Sequence, residues 1–99
     1  MPTVALCIPA GHPAFAGHFP GRPIVPGVVL LDEARLAIEA VQALRVTGLA
    51  VAKFLSPALP GETLALEYTA KEDEVRWEVR CGDRRIASGR FLCRHEAAP

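Results

Sequence analysis

The chain has 99 residues, 51% of them hydrophobic, and its 11 basic and 11 acidic side chains give a formal net charge of zero. This length predicts a single domain, residues 1–99, whose small core is a candidate for completion by self-association. Without a basic stripe the composition argues against nucleic-acid binding, and no run approaches the ~20 apolar residues of a membrane span. The start, MPTVALCIPA, has no secretory signal pattern.

The three cysteines, Cys7, Cys81 and Cys93, are odd in number and lack CxxC spacing. This pattern predicts buried free thiols in a reducing cytoplasm, and neither a disulfide framework nor a metal site. We therefore expect a cytoplasmic protein.

The first predicted elements are a short strand and a long ordered loop. Residues 3–8 alternate, with Val4, Leu6 and Ile8 on one side, which is typical of a strand. Prolines and glycines then crowd residues 9–26, where apolar residues should anchor the loop: Phe15, Phe19, Ile24 and Val25.

A helix is predicted to begin at Pro26, because proline suits the first helical position. Its apolar stripe recurs at spacings of three and four, through Leu30, Ala34, Ala37, Val41 and Leu44, with Leu31 and Ile38 beside it. The pattern predicts that the helix fades over residues 45–47 and stops at Gly48.

Four strands are predicted to follow, over residues 48–55, 62–70, 74–81 and 84–94, with a tight hairpin at Gly82-Asp83 and a disposable tail from His95. Short connections make the last strands antiparallel. Because five strands leave open edges, pairing two copies edge to edge would give one continuous sheet, and we expect a dimer.

The beginning of the helix has the features of a carbonyl-binding site. The amides of Gly27 and Val28 have no partner inside the helix and point out of its positive end. Asp32 follows an apolar run, where we expect partial desolvation to favour the neutral carboxyl, and an imidazole such as that of His18 can titrate near neutral pH. Base, clamp and acid together suit proton abstraction beside a carbonyl with loss of a hydroxyl.

Each of these residues also has a structural interpretation. His18 and His12 could be ordinary loop histidines, His95 a solvated tail residue, and Asp32 a side chain that favours the helix dipole. Glu33 is expected on the exposed side of the helix, and it is the alternative acid if the register is shifted by one.

The run GHFPGRPIVPGVVLLDEA at 17–34 resembles the signature of the 3-hydroxyacyl-[acyl carrier protein] dehydratases of bacterial fatty-acid synthesis. The pattern H-F-P-x-x-P-x-x-P-G matches from His18 and Phe19 through Pro26 and Gly27, and the family's catalytic carboxylate, fourteen residues after the histidine, falls on Asp32. The stretch KFLSPALPGETL at 53–64 is similar to the family's lysine-phenylalanine strand and proline-glycine turn.

The resemblance implies an α+β hotdog fold, a long central helix wrapped by a curved antiparallel sheet of about five strands. It implies dehydration of a 3-hydroxyacyl thioester, carried by an acyl carrier protein, to the trans-2-enoyl thioester, without a cofactor. His18 would be the C2 base, and Asp32 of the opposite subunit would handle the leaving hydroxyl. Gly27 would bind the thioester carbonyl, and Val28, Phe19 and Pro26 would also contact substrate.

The chain departs from the family in two respects. It is shorter before His18, and the common glutamine four residues after the carboxylate is Leu36. Both departures allow a specialised relative that serves a polyketide-like, aryl-polyene or glycolipid pathway.

Two other functions remain open: a hotdog thioesterase, and a non-catalytic acyl-binding or heterodimer-forming subunit. As partners we expect a second copy or a related hotdog subunit, and an acyl carrier protein for which Arg22, Arg45 and Lys53 are candidate docking residues.

Overall fold

The computed structural model describes residues 2–8 and 24–96. The elements in chain order are β1 (Thr3–Cys7), α1 (Gly27–Val41), β2 (Leu44–Phe54), β3 (Thr63–Ala70), β4 (Glu74–Cys81) and β5 (Arg84–His95). The strands form one sheet in the order β1-β3-β4-β5-β2, with every neighbouring pair antiparallel. Most of the predicted loop lies outside the described residues, and His12, His18, Phe19 and Arg22 lie there with it.

The alternation of apolar and polar residues decides which face of the sheet is buried. Leu64, Leu66 and Tyr68 of β3 are buried, and so are the β4 residues Val75, Trp77 and Val79, as the sequence pattern predicts. The register joins the two rows, since Tyr68 lies opposite Trp77 and Leu66 opposite Val79. One face of these central strands is therefore continuous core, while the other carries charged side chains.

The helix α1 closes the core on this apolar face. Leu30, Ala34 and Ile38 are buried in the same cluster as the inward side chains of the strands. On the β5 side, Phe91 stacks on Trp77 with ring centroids 5.3 Å apart. This layer of one helix on one antiparallel sheet gives the α+β architecture that the sequence predicts.

The predicted C-terminal end of the helix is wrong. The helix ends at Val41, and Leu44 begins β2 instead of completing the helical stripe. Gln42 is extended and donates its amide to the Ile38 carbonyl, while its side chain reaches the Tyr68 hydroxyl at 2.9 Å. Pairing with β5 and β-branched residues at 46 and 47 outweigh the local helical periodicity.

The strand boundaries shift in consequence. β2 begins four residues before the predicted start at Gly48, and Gly48 lies at a register shift between β2 and β5. At the other end of β5, His95 belongs to the strand and contacts the Lys71 carbonyl at 2.7 Å, so the ordered chain reaches further than the predicted tail allows. The hairpin is confirmed, with Cys81 paired to Arg84 across Gly82 at φ 60°.

The cysteines are all free, as predicted, but only Cys93 is buried. Burial, with smaller contributions from Asp73 and Glu74, raises the pKa of the Cys93 thiol. Cys7 is exposed because its side of β1 faces away from the core, so the prediction of three buried thiols is wrong for this residue.

Candidate functional site

Asp32 lies in an open groove of about 520 Å³ between α1 and the edge strand β2. One wall is the helix, from Val28 to Arg35, and the other is the bulged part of β2, from Val46 to Leu49, with Phe91 of β5. Most of the lining is apolar, and charge enters it through Asp32, Glu33 and Arg35. A flexible apolar chain with a polar head group would fit such a groove.

The immediate surroundings of Asp32 are more polar than the sequence predicts. Its side chain is 55% exposed, and its Oδ1 accepts a hydrogen bond of 2.5 Å from Arg35. The expectation of an apolar, desolvated carboxyl is therefore wrong for the single chain, because Arg35 follows three residues later on the same helical face. Glu33 is half-buried and lines the same groove, although it was expected on the exposed side.

The helix begins one residue later than predicted. Pro26 is the N-cap, and its carbonyl accepts the amides of Val29 and Leu30 at 3.0 and 3.2 Å. The amides of Gly27 and Val28 find no acceptor within the described part of the chain. Two amides are thus directed out of the positive end of α1, where they suit a carbonyl or an oxyanion.

A second cavity lies beside Gly27. It measures about 530 Å³ and is lined by apolar residues of the helix start, Leu30 among them, and of the loop after β2. The Phe54 ring packs against Gly27 so closely that a β-carbon there would lie 2.9 Å from the ring. Gly27 therefore makes room for the Phe54 ring.

Within one chain, Gly27 and Asp32 face different cavities. Five residues along a helix turn the side-chain direction by roughly 140°, so the two positions lie on different sides of α1. Val28, which is 73% exposed, lines the Asp32 groove, while Gly27 lines the second cavity. The structure does not bring the predicted carbonyl clamp and the predicted acid of one chain onto a common point.

The predicted docking residues are dispersed. Lys53 lies on the outer face of the sheet with Arg76 and Arg90, around a depression of about 290 Å³, and these three residues are named the outer basic cluster. Arg76 is directly opposite Arg90, and only Arg90 has an acidic partner within the described residues, Glu74 at 3.1 Å. Arg45 lies apart and pairs with Glu96 at 3.5 Å.

Sequence reasoning missed two residues of the groove region, Arg35 and Glu39. Arg35 contacts Glu39 at 3.0 Å as well as Asp32, and Glu39 accepts the Val46 amide at 2.8 Å. The i to i+3 and i to i+4 spacings of 32, 35 and 39 are the signal that could have identified them.

No group of His, Cys, Asp or Glu side chains among residues 2–8 and 24–96 is arranged to hold a metal ion. The helix α1, with its fifteen residues, is too short to cross a bilayer.

Comparison with known proteins gives both a family and relatives. A model of the ApeI-like family, described as the ApeI dehydratase, matches residues 2–90. The chain is 38% identical over 83 residues to the 3-hydroxyacyl-[acyl-carrier-protein] dehydratase FabZ of Pectobacterium atrosepticum. This alignment covers 82% of the chain and 47% of the relative, so the chain spans about half the length of that protein.

Solved structures share the fold at lower identity. The dehydratase heterocomplex ApeI:P from Xenorhabdus doucetiae matches with a TM-score of 0.76 and 22% identity, covering 94% of this chain and 86% of that one. The fluoroacetyl-CoA-specific thioesterase FlK matches with a TM-score of 0.61 and 15% identity, covering 95% and 88%. These likenesses show the hotdog fold implied by the sequence resemblance, and at such identities they show the fold alone.

Proposed function

The chain belongs to the ApeI-like family of dehydratases, and from that premise we propose that it removes water from a 3-hydroxyacyl thioester to give the trans-2-enoyl thioester. The relative from Pectobacterium atrosepticum is named for this type of reaction. The hotdog helix supports the same chemistry, since its first two amides find no acceptor among residues 2–8 and 24–96 and a carboxylate follows about one turn further on.

The observation that carries the proposal is the separation of Gly27 and Asp32 on α1. Each lines its own largely apolar cavity, one beside the Phe54 ring and one beside β2. A reaction that needs an acid and a carbonyl clamp at one substrate therefore favours two chains, with the clamp from one and Asp32 from the other. The open edge of β2, which borders the Asp32 groove, offers the surface for pairing.

In the proposed reaction, His18 removes a proton from C2 of the substrate while the Gly27 amide stabilises the developing enolate oxygen. The C3–O bond breaks, C2 and C3 become doubly bonded, and the hydroxyl leaves as water with a proton from the Asp32 carboxyl. The proton on His18 then returns to Asp32 and restores the enzyme. Val28, Phe19 and Pro26 line the path of the thioester in this proposal.

The proposed assembly is a homodimer, or a heterodimer with a related hotdog subunit. Pairing of two β2 edges would extend the five-stranded sheet of each chain into one sheet. It would also cover apolar side chains that α1 exposes, Val28 and Leu36. A similar surface on a related subunit would serve equally well, so the assay includes candidate partner subunits.

Turnover of 3-hydroxyacyl thioesters tests the proposal. We expect enoyl-thioester formation by mass spectrometry with short or long substrates, and a loss of about 10²–10⁴-fold in kcat for His18→Ala and Asp32→Asn. Both variants should keep the melting temperature and oligomeric state of the wild type. The neighbouring Glu33→Gln is the matched control and should retain activity; a collapse there would assign the acid to Glu33.

Hydrolysis of the thioester is the second candidate. Hydrolysis needs a carboxylate that activates water, and the Asp32 side chain, which Arg35 contacts through Oδ1, lies in the groove. Release of the free 3-hydroxy acid without enoyl product would establish a thioesterase. Binding of the acyl thioester without turnover, alone and with partner subunits, would establish the non-catalytic module.

We also propose that the outer basic cluster docks an acidic acyl carrier protein. Like charges directly opposite in a sheet are unfavourable, and Arg76 faces Arg90 without an acidic partner of its own in the described chain. Glu78, the nearby acid on β4, is engaged by Arg80 and Arg85 at 2.5 and 2.8 Å. An acidic surface would relieve the repulsion in a chain whose net charge is zero.

Arg76→Gln should raise KM for a carrier-bound substrate about three- to ten-fold and leave KM for a small thioester surrogate unchanged, because rim charges act mainly on encounter. Lys71→Gln removes the same charge in the turn before β4 and serves as the control. Equal KM values for Arg76→Gln and wild type with carrier-bound substrate would place the docking surface elsewhere.

A further inference from the structure

Arg35 bridges two carboxylates on the outer side of α1. Its Nη2 donates to Asp32 Oδ1 at 2.5 Å, and its Nη1 donates to Glu39 Oε1 at 3.0 Å. The bridge follows from sequence spacing, since Asp32 precedes Arg35 by three residues and Glu39 follows it by four. Each guanidinium nitrogen thus serves a different carboxylate.

The bridge continues from the helix to the edge strand. Glu39 uses its second oxygen, Oε2, to accept the Val46 amide at 2.8 Å. Val46 lies at the register shift of β2 and forms part of the strand wall of the Asp32 groove. The two walls of the groove are therefore connected by a chain of contacts that runs from Asp32 through Arg35 and Glu39 to Val46.

This arrangement leaves one oxygen of Asp32 available. Oδ1 is held by Arg35, whereas Oδ2 has no hydrogen-bond partner within the described part of the chain. An aspartate that is 55% exposed would otherwise sample several rotamers. The guanidinium remains cationic, because its hydrogen bond to Asp32 raises the pKa of Arg35.

Stability alone is a weak explanation for the bridge. The Arg35 side chain is 36% exposed and that of Asp32 more so, and exposed ion pairs contribute little to folding. A planar guanidinium that binds two carboxylates has a larger effect on the orientation of Asp32 than on stability. Orientation matters because a small displacement of a reacting group lowers the reaction rate strongly.

We propose that Arg35 is a positioning residue. It holds Asp32 by Oδ1 in one rotamer, anchored through Glu39 to the bulge of β2, so that Oδ2 faces the groove and acts on the substrate. This inference rests on the proposed function for its kinetic consequence, while the fixed rotamer is a property of the folded chain itself.

The kinetic test uses three variants. Arg35→Met and Arg35→Lys change the positioning residue, and Glu39→Gln changes the residue that anchors it. Arg35→Met should lower kcat about ten- to a hundred-fold while KM stays close to wild type, because orientation and not binding is lost. Arg35→Lys keeps the positive charge but can contact only one carboxylate at a time, and it should recover part of the rate. Glu39→Gln should lower kcat less than Arg35→Met does. Arg85→Met, which removes another exposed ion-paired arginine, is the matched control.

The structural readout is independent of turnover. In the intact protein, NMR couplings should show a single χ1 rotamer for Asp32, and hydrogen exchange of the Val46 amide should be slow. In Arg35→Met, the Asp32 couplings should be averaged over several rotamers and the Val46 amide should exchange faster. A wild-type kcat or an unaltered Asp32 rotamer in Arg35→Met would overturn the inference. If the wild type dehydrates nothing, the proposed function fails, and the rotamer measurement alone decides whether Arg35 positions Asp32.

Discussion

At the scale of single residues, Glu62 is the most connected acid outside the groove. It accepts the Leu59 amide at 2.7 Å, both oxygens contact Arg84 at 2.8 Å, and the Cys81 thiol donates to it at 3.3 Å. The Leu59 amide has the largest effect, and with Cys81 and Arg84 it lowers the pKa of Glu62 although burial opposes them. The ionised carboxylate thus joins the loop before β3 to the hairpin of β4 and β5.

Because the pKa of Glu62 is lowered on folding, its contribution to stability is present above its ordinary value of 4.5 and is lost as pH falls through the lowered value. Glu62→Gln should therefore reduce the melting temperature by about 5 °C at pH 7, and the difference should shrink towards pH 3. Calorimetry at the two pH values measures this.

Glu72→Gln removes an exposed acid from the turn after β3 and is the control, expected to melt with the wild type at both pH values. If the melting-temperature difference between Glu62→Gln and the wild type were the same at both pH values, the charge of Glu62 would not be what stabilises the contact between the loop and the hairpin.

At the scale of elements, two glycines of the β2–β5 ladder have unequal roles. A β-carbon on Gly89 would clash with the Val51 carbonyl and would lie 2.7 Å from the Trp77 ring. One on Gly48 would meet the Leu92 side chain at an ordinary 3.5 Å. The missing side chain of Gly89 therefore allows both the backbone of β2 and the buried Trp77 indole to pack closely against β5. Gly48 lies at a register shift where a β-carbon would cause no clash.

Gly89→Ala should destabilise the protein by about 3 kcal/mol, because the clash involves backbone and not only a flexible side chain. Gly48→Ala, the same change on the neighbouring strand, should stay within about 0.5 kcal/mol of wild type. Urea unfolding compares the two variants. Equal free energies of unfolding for the two variants would show that β2 and Trp77 can move to accommodate a β-carbon at position 89 without destabilising the protein.

At the scale of the whole molecule, the outer side of α1 and the edge of β2 form one incomplete surface. Val28 and Leu36 are 73% and 46% exposed and lie two turns apart on the helical face that also carries Asp32. The edge strand β2, eleven residues long, has β5 as its one neighbour among the described strands. Apolar helix surface beside an open edge is what a second hotdog chain would cover in the proposed dimer.

Leu36→Lys should convert the proposed dimer to monomer at micromolar concentration, raising the dissociation constant at least about a hundred-fold, since a buried charge would replace an apolar contact. Sedimentation velocity measures the change. The control is Leu59→Lys, equally exposed but in the loop before β3. Unchanged sedimentation of Leu36→Lys would exclude this side of α1 from the interface.

The sequence by itself determined the family, the fold class and the inward face of each central strand. The run from His18 to Asp32 carried the family resemblance, which the match over residues 2–90 confirms. Period-two alternation identified the buried rows of β3 and β4, because each side chain of a strand points to a face fixed by its position. The roles of His18 and Asp32 stay predictions, since His18 lies outside the described residues.

Only the tertiary structure decided where α1 ends and what surrounds Asp32. Residues 42–47 keep a helical pattern locally, but hydrogen bonds to β5, to Tyr68 and to Glu39 hold them extended. The contact of Asp32 with Arg35 follows from helical spacing, but the opposite wall of its groove, from Val46 to Leu49, comes from β2. In both cases the deciding partner is distant in the sequence, and the local pattern around a residue does not specify such contacts.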